Sequence, residues 1–165
     1  MNFPEILTVT ALEYETRTPV QGVALILMLF AVRKNNYDVG PFITDVKGQV
    51  RIARRDCEWH IRNSQELFIM DYIDSLEQCK PKFEIRLHLP EHVEGMIRQY
   101  HSAPDLWGQA FPNPDQLFLA LENVKNRAFE PASVMISDQE VVRNPEVTIY
   151  LRRRSNESTS RLQTA

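Results

Sequence analysis

The sequence predicts a mainly β fold with α elaboration: a two-sheet sandwich with two helices inserted before the last strands. Three observations carry that expectation. Apolar and polar residues alternate over 5–14 and 82–89, the two-residue period of strands with one buried face. A continuous apolar run at 23–32 is followed by the turn residues Asp45 and Gly48. After Pro90 and again after Pro114 the period changes to that of helices.

In the first strand, Leu7, Val9 and Ala11 face one way against Thr8, Thr10 and Leu12. Thr16, Thr18 and Pro19 then break the pattern as a turn does, and Gly22 sits in a new extended segment. The run 23–32 is apolar enough for a buried helix, but it is short, lacks an N-cap and follows turn chemistry. It is therefore expected as a strand buried on both faces. Beyond the polar residues Lys34, Asn35 and Asn36, segments 39–44 and 49–53 flank Asp45-Val-Lys-Gly48. Gly48 can take the positive φ of a tight hairpin, so the third and fourth strands are expected to pair as neighbours.

Residues 54–68 mix charge with Cys57, Trp59, Ile61 and Leu67 without clean alternation, which leaves a short helix and an irregular crossover both open. In 82–89, Phe83, Ile85, Leu87 and Leu89 point one way and Lys82, Glu84, Arg86 and His88 the other. Pro90 fits a first helical position. With Glu91 and Glu94 in the first turn and Val93, Met96, Ile97 and Tyr100 at helical spacing, a helix is expected over 90–101. Residues 102–114 read as a loop. Asn113 or Asp115 then caps a second helix carrying Leu117, Phe118, Leu121 and Val124, expected to end near Asn126. Residues 134–136 and 147–151 are the last strands, with a polar turn region containing Asp138, Asn144 and Pro145 between them.

With 165 residues and 43% hydrophobic content, one domain over 1–154 can bury a continuous core, leaving 155–165 as a polar tail. A formal charge of −3 offers no basic field for a run of phosphates, so nucleic acid is not an expected partner. The basic cluster Arg152, Arg153 and Arg154 reads as a solvated strand end leading into a frayed tail. The longest apolar run is about half the ~20 residues of a membrane helix, and residues 1–7 lack the regions of a signal peptide. Cys57 and Cys79 match no zinc spacing and are expected as reduced structural thiols. Together these features predict a cytoplasmic protein with no cofactor and no membrane partner.

Thr18-Pro-Val-Gln-Gly-Val23, an apolar strand, and then Phe42-Ile-Thr-Asp-Val-Lys-Gly-Gln-Val-Arg-Ile52 resemble the opening of the prealbumin-like (transthyretin-like) β-sandwiches, an immunoglobulin-like architecture. Carboxypeptidase regulatory-like and Cna B-type domains open in a similar way. The match covers about the first third of the chain, and the resemblance implies the sandwich more than an activity. The enzyme of that group, 5-hydroxyisourate hydrolase, would require an early histidine and a C-terminal Tyr-Arg-Gly-Ser. Here the first histidine is His60 and the end reads Ile149-Tyr-Leu-Arg-Arg-Arg154, so the hydrolase motif is missing.

Asp71 and Tyr72, within Ile69-Met-Asp-Tyr-Ile-Asp-Ser-Leu-Glu-Gln-Cys79, either present a recognition surface together with Asp74, or Asp71 caps backbone amides while Tyr72 packs on the core. Trp107 either anchors a partner or closes the core between the helices. Asp56, Glu58, Asp71, Asp74 and Glu77 lack the spacing of a calcium loop and read as surface charge. His88 and His92 are four apart but straddle a strand end and a helix start, and the histidines are expected to be solvated. Cys57 lies three residues from His60, a spacing open to nucleophilic catalysis or to an unreactive buried thiol. The expected function is a non-catalytic module that binds another protein. Two alternatives are an immunity or chaperone-type protein that neutralises or carries a toxin or effector, and a small thiol- or metal-dependent hydrolase.

Overall fold

The structure, a computed structural model, describes residues 1–31, 36–67, 76–105 and 113–155. The fold is mixed α/β, with a three-stranded sheet, a four-stranded sheet and four α-helices among the described residues. Strand β1 (Ile6–Glu13) is the centre of the smaller sheet, antiparallel to β4 (Gln49–Ala53) and parallel to β7 (Glu146–Leu151). The larger sheet runs β3 (Tyr37–Ile43), β2 (Ala24–Ala31), β5 (Cys79–Leu87), β6 (Ser133–Ser137), all antiparallel. Leu7, Val9 and Ala11 of β1 and Leu25, Leu27 and Leu29 of β2 belong to one buried cluster, which also takes in Phe83, Ile85, Ile136, Val147 and Ile149. Both sheets therefore contribute to a single core.

Within the apolar run at 23–32, Ala24–Ala31 form a strand, as expected. Both faces of β2 are covered: Leu25, Leu27 and Leu29 lie in the core shared by the two sheets, and Ala24, Ile26 and Met28 on the other side are also buried, Ala24 against Val93, Phe118 and Leu121. Ala, Leu and Met favour helix in isolation, but the two flanking strands satisfy the backbone of β2 on both edges and override that preference.

The pairing expected around Asp45–Gly48 is not found: β3 pairs with β2 and β4 with β1, in different sheets. The turn chemistry was read correctly. Gly48 has φ +70, its N–H donates to the Asp45 carbonyl (2.9 Å), and Asp45 Oδ1 accepts from the backbone of Lys47 and Gln49 (2.9 Å each). The tight turn is a corner between sheets because each arm is already held elsewhere. The Gly48 carbonyl accepts from Ala11 N on β1 (2.7 Å), while buried Thr44 donates its hydroxyl to the Val20 carbonyl (2.7 Å) and receives Val23 N–H (3.1 Å).

The undecided segment after β4 is helix α1 (Arg54–Leu67), which places Cys57 and Ile61, one turn apart, in the core. Arg54 ties its start down through the Phe3 carbonyl (3.1 Å), Glu58 (3.2 Å) and Glu77 of the 3-10 turn Leu76–Gln78 (3.2 Å). Helices α2 (Pro90–Ser102) and α3 (Pro114–Glu122) both begin with proline at the first helical positions. α3 ends short of 126, where the 3-10 turn Asn126–Ala128 takes over. The two helices pack on each other and on Ala24, where Val93, Phe118 and Leu121 form a second small core and Tyr100 stacks on Phe118 at 4.1 Å. The turn expected between the last strands is a short helix, α4 (Asp138–Arg143). Ser137 caps it by accepting from Glu140 N (3.4 Å), the serine-to-glutamate spacing of a capping box. No helix among the described residues is long and apolar enough to cross a membrane.

Candidate functional site

The parallel register of β1 with β7 sets Leu12 beside Tyr150 and Glu13 beside Leu151, so the turn after β1 meets the chain leaving β7. Four residues far apart in sequence converge there. Tyr14 and Tyr150 meet edge to face at 6.3 Å, and both remain exposed, at 36% and 44%. The Arg17 guanidinium lies over both rings, 4.4 Å from the centre of Tyr150 and 5.0 Å from that of Tyr14, and Arg152 covers Tyr14 at 3.6 Å. Arg152 also faces Glu15 (3.7 Å), and Arg153 pairs with Glu13 (3.0 Å). Arg154 donates to the Phe129 carbonyl at 3.0 Å. Arg152 and Arg153 are exposed, as expected of a solvated strand end, yet each member of the arginine run is tied to a ring, a carboxylate or a carbonyl.

That turn is closed by backbone bonds from Arg17 N to the Glu13 carbonyl and from Glu13 N to the Thr18 carbonyl (2.9 Å each), with Thr16 and Thr18 hydroxyls bonded at 2.7 Å. Arg17 has φ +58, the only positive φ at a non-glycine residue among the described residues. A left-handed backbone costs such a residue roughly 1–2 kcal/mol.

A second constellation joins β5, α2 and the 3-10 turn. Asn126, 1% exposed, accepts from Ala24 N (2.8 Å) and donates to the carbonyls of Ala24 (3.0 Å) and His88 (2.6 Å), standing in for a missing strand partner at the start of β2. His88 is 7% exposed, and neither ring nitrogen has a hydrogen-bond partner. Burial, with a smaller contribution from His92, pushes its pKa down to about 4, so the ring is neutral at pH 7. This corrects, for His88, the expectation that the histidines are solvated; His92 and His101 are exposed as expected. His60 is half-buried and its pKa is lowered by desolvation. His88 and His92 do straddle a strand end and a helix start, yet they come together. Pro90 starts α2 at once, so the chain turns sharply and the two rings lie 5.6 Å apart. Nearby, an open groove of about 390 Å3 runs between α2 and α3, floored by Val93, Ile97, Leu121 and Val124 and bordered by the Glu94–Arg127 ion pair.

The remaining candidates are placed as follows. Cys57 is fully buried, and desolvation, followed by the charges of Asp56 and Glu58, pushes its thiol up to about 12, where it is protonated at neutral pH. Cys79 is also buried. Glu58 and Glu77 both pair with Arg54, and no group of three or more histidines, cysteines or carboxylates among the described residues could hold a metal. Asp71, Tyr72, Asp74 and Trp107, the residues singled out as binding candidates, lie outside the described residues, as does the tail beyond Ser155.

The tyrosine–arginine cluster and Asn126 escaped the sequence reading. No local pattern marks either: one is assembled by pairing the first strand with the last, the other by a contact spanning 102 residues. Compared with family models, curated proteins and solved structures, the chain matches none.

Proposed function

We propose that this chain is a non-catalytic protein-interaction module: a prealbumin-like β-sandwich scaffold that binds another protein through the face built from Tyr14, Arg17, Tyr150 and Arg152. The single observation that carries this reading is the ordered cluster itself. Tyrosine and arginine are the residue types enriched at interface hot spots, and here they are exposed yet held in place by ring and guanidinium stacking. Side chains ordered before binding lose less rotamer freedom when a partner arrives. The scaffold reading is supported by the shared core of the two sheets and by the glycine turn at their corner. The free, buried thiol of Cys57 suits a reducing compartment, in keeping with a cytoplasmic protein.

The test compares the wild-type chain with the Tyr14→Ala, Tyr150→Ala double variant as baits in a lysate of the organism that encodes them, after confirming equal thermal midpoints. The expected result is a small set of proteins held by the wild type and lost from the variant. Equal retention of the same proteins by both baits would refute the assignment of this face.

A further inference from the structure

We propose that Arg17 is an anion anchor that takes a side-chain carboxylate from an acidic segment of a partner protein. This rests on the reading of the chain as an interaction module and names the chemistry of what it binds.

The charges around the cluster distinguish Arg17 from its neighbours. Arg152 faces Glu15 and Arg153 pairs with Glu13, so both have a carboxylate within 4.0 Å. Arg17 has none among the described residues, although its side chain is exposed and oriented by two tyrosine rings. Its position is also maintained against a local cost: the left-handed φ of +58 would suit glycine better, yet the residue carries the largest cationic side chain available. A guanidinium that lies over aromatic rings keeps a fork of N–H donors in its own plane. That fork matches a carboxylate with two parallel hydrogen bonds.

Charge complementarity selects the occupant. The patch gathers Arg17, Arg152 and Arg153 against Glu13 and Glu15, a locally positive surface on a chain of formal charge −3. An acidic segment is drawn to that patch, whereas a basic one would meet like charge. The rings add apolar contact for the methylene groups of a glutamate or for a neighbouring apolar residue of the same segment.

The experiment measures binding of a fluorescein-labelled oligoglutamate peptide by anisotropy, with the glutamine peptide of equal length and a single-stranded DNA oligonucleotide as comparisons. The variants are Arg17→Gly, Arg17→Lys and wild type. The glutamate peptide is expected to bind the wild type at least about tenfold more tightly than the glutamine peptide, with affinity falling as salt rises. Arg17→Gly should lose about tenfold or more while its thermal midpoint stays equal or rises, because glycine relieves the backbone. Arg17→Lys should fall between the two. The proposal is overturned if the glutamate and glutamine peptides bind alike, if Arg17→Gly binds the glutamate peptide as the wild type does, or if the oligonucleotide binds more tightly than the peptide. Should the tyrosine double variant lose its partners in the lysate while Arg17→Gly retains them, the interaction face survives and only the anion anchor falls.

Discussion

Lowering the pH should destabilise this protein in large part through His88, with His60, whose pKa burial also lowers, acting in the same direction in every variant compared. The His88 ring is buried, both nitrogens lack partners, and its pKa is lowered from 6.5 to about 4. The unfolded chain binds a proton at His88 as the pH drops below 6.5, whereas the folded chain resists until near pH 4. Stability from the neutral ring is therefore fully present above pH 6.5, declines between 6.5 and 4, and levels off below. A gap of that size at ~1.4 kcal/mol per pH unit amounts to about 3 kcal/mol, a large fraction of the ~5–15 kcal/mol of a typical domain. Urea unfolding across pH 7 to pH 4 in the wild type and in His88→Phe measures it. The variant removes the titrating ring and two unsatisfied polar atoms, so it should match or exceed the wild type at neutral pH, with the acid decline reduced by about 3 kcal/mol. Parallel declines in the two proteins would refute the assignment of the effect to His88. Arg86 and His92 lie near this end of β5 and remain in both proteins, so the difference isolates one ring.

Substitutions at three further positions test the packing that positions these sites. Asn126→Ala removes three buried hydrogen bonds and leaves the Ala24 N–H without a partner. It should lower the unfolding free energy by about 3 kcal/mol, and Asn126→Asp by more, because a carboxylate would face the carbonyls of Ala24 and His88. Gly48→Ala would set a Cβ 2.7 Å from the Ala11 carbonyl and 2.9 Å from Val20 N, at φ +70, and should cost about 2 kcal/mol or more by urea titration. Gly95→Ala, in α2 with nothing within 4 Å, should instead gain up to about 1 kcal/mol.

Much of the element order was legible because alternation and helical spacing are local signals. The inward faces of β1, β5 and β7 and the start of α2 follow directly from Leu7-x-Val9-x-Ala11, Phe83-x-Ile85-x-Leu87, Val147-x-Ile149-x-Leu151 and Pro90. α4 carried a readable signal, Ser137 followed by Glu140, that the surrounding polar residues obscured. α1 was not readable because only Cys57 and Ile61 of its described side chains are buried, too few for a clear helical stripe. His88 was assigned to the polar face of its strand by alternation. That assignment fails because α2 and the Asn126 turn close over the end of β5, and alternation knows nothing of what lies above a sheet.

The sequence by itself determined which segments become strands and helices, where the chain turns at Gly48, and that no local metal or nucleophile motif stands out. It did so because backbone sterics and the two periods of 2.0 and 3.6 residues act between near neighbours. Only the tertiary structure decided that Asp45–Gly48 is a corner between sheets, that His88 is sealed from water, and that Tyr14 and Arg17 meet Tyr150 and Arg152. Each of those depends on which strand lies beside which, and pairing is settled by contacts such as Ala11 with Gly48 and Thr8 with Glu146, which no short window along the chain contains.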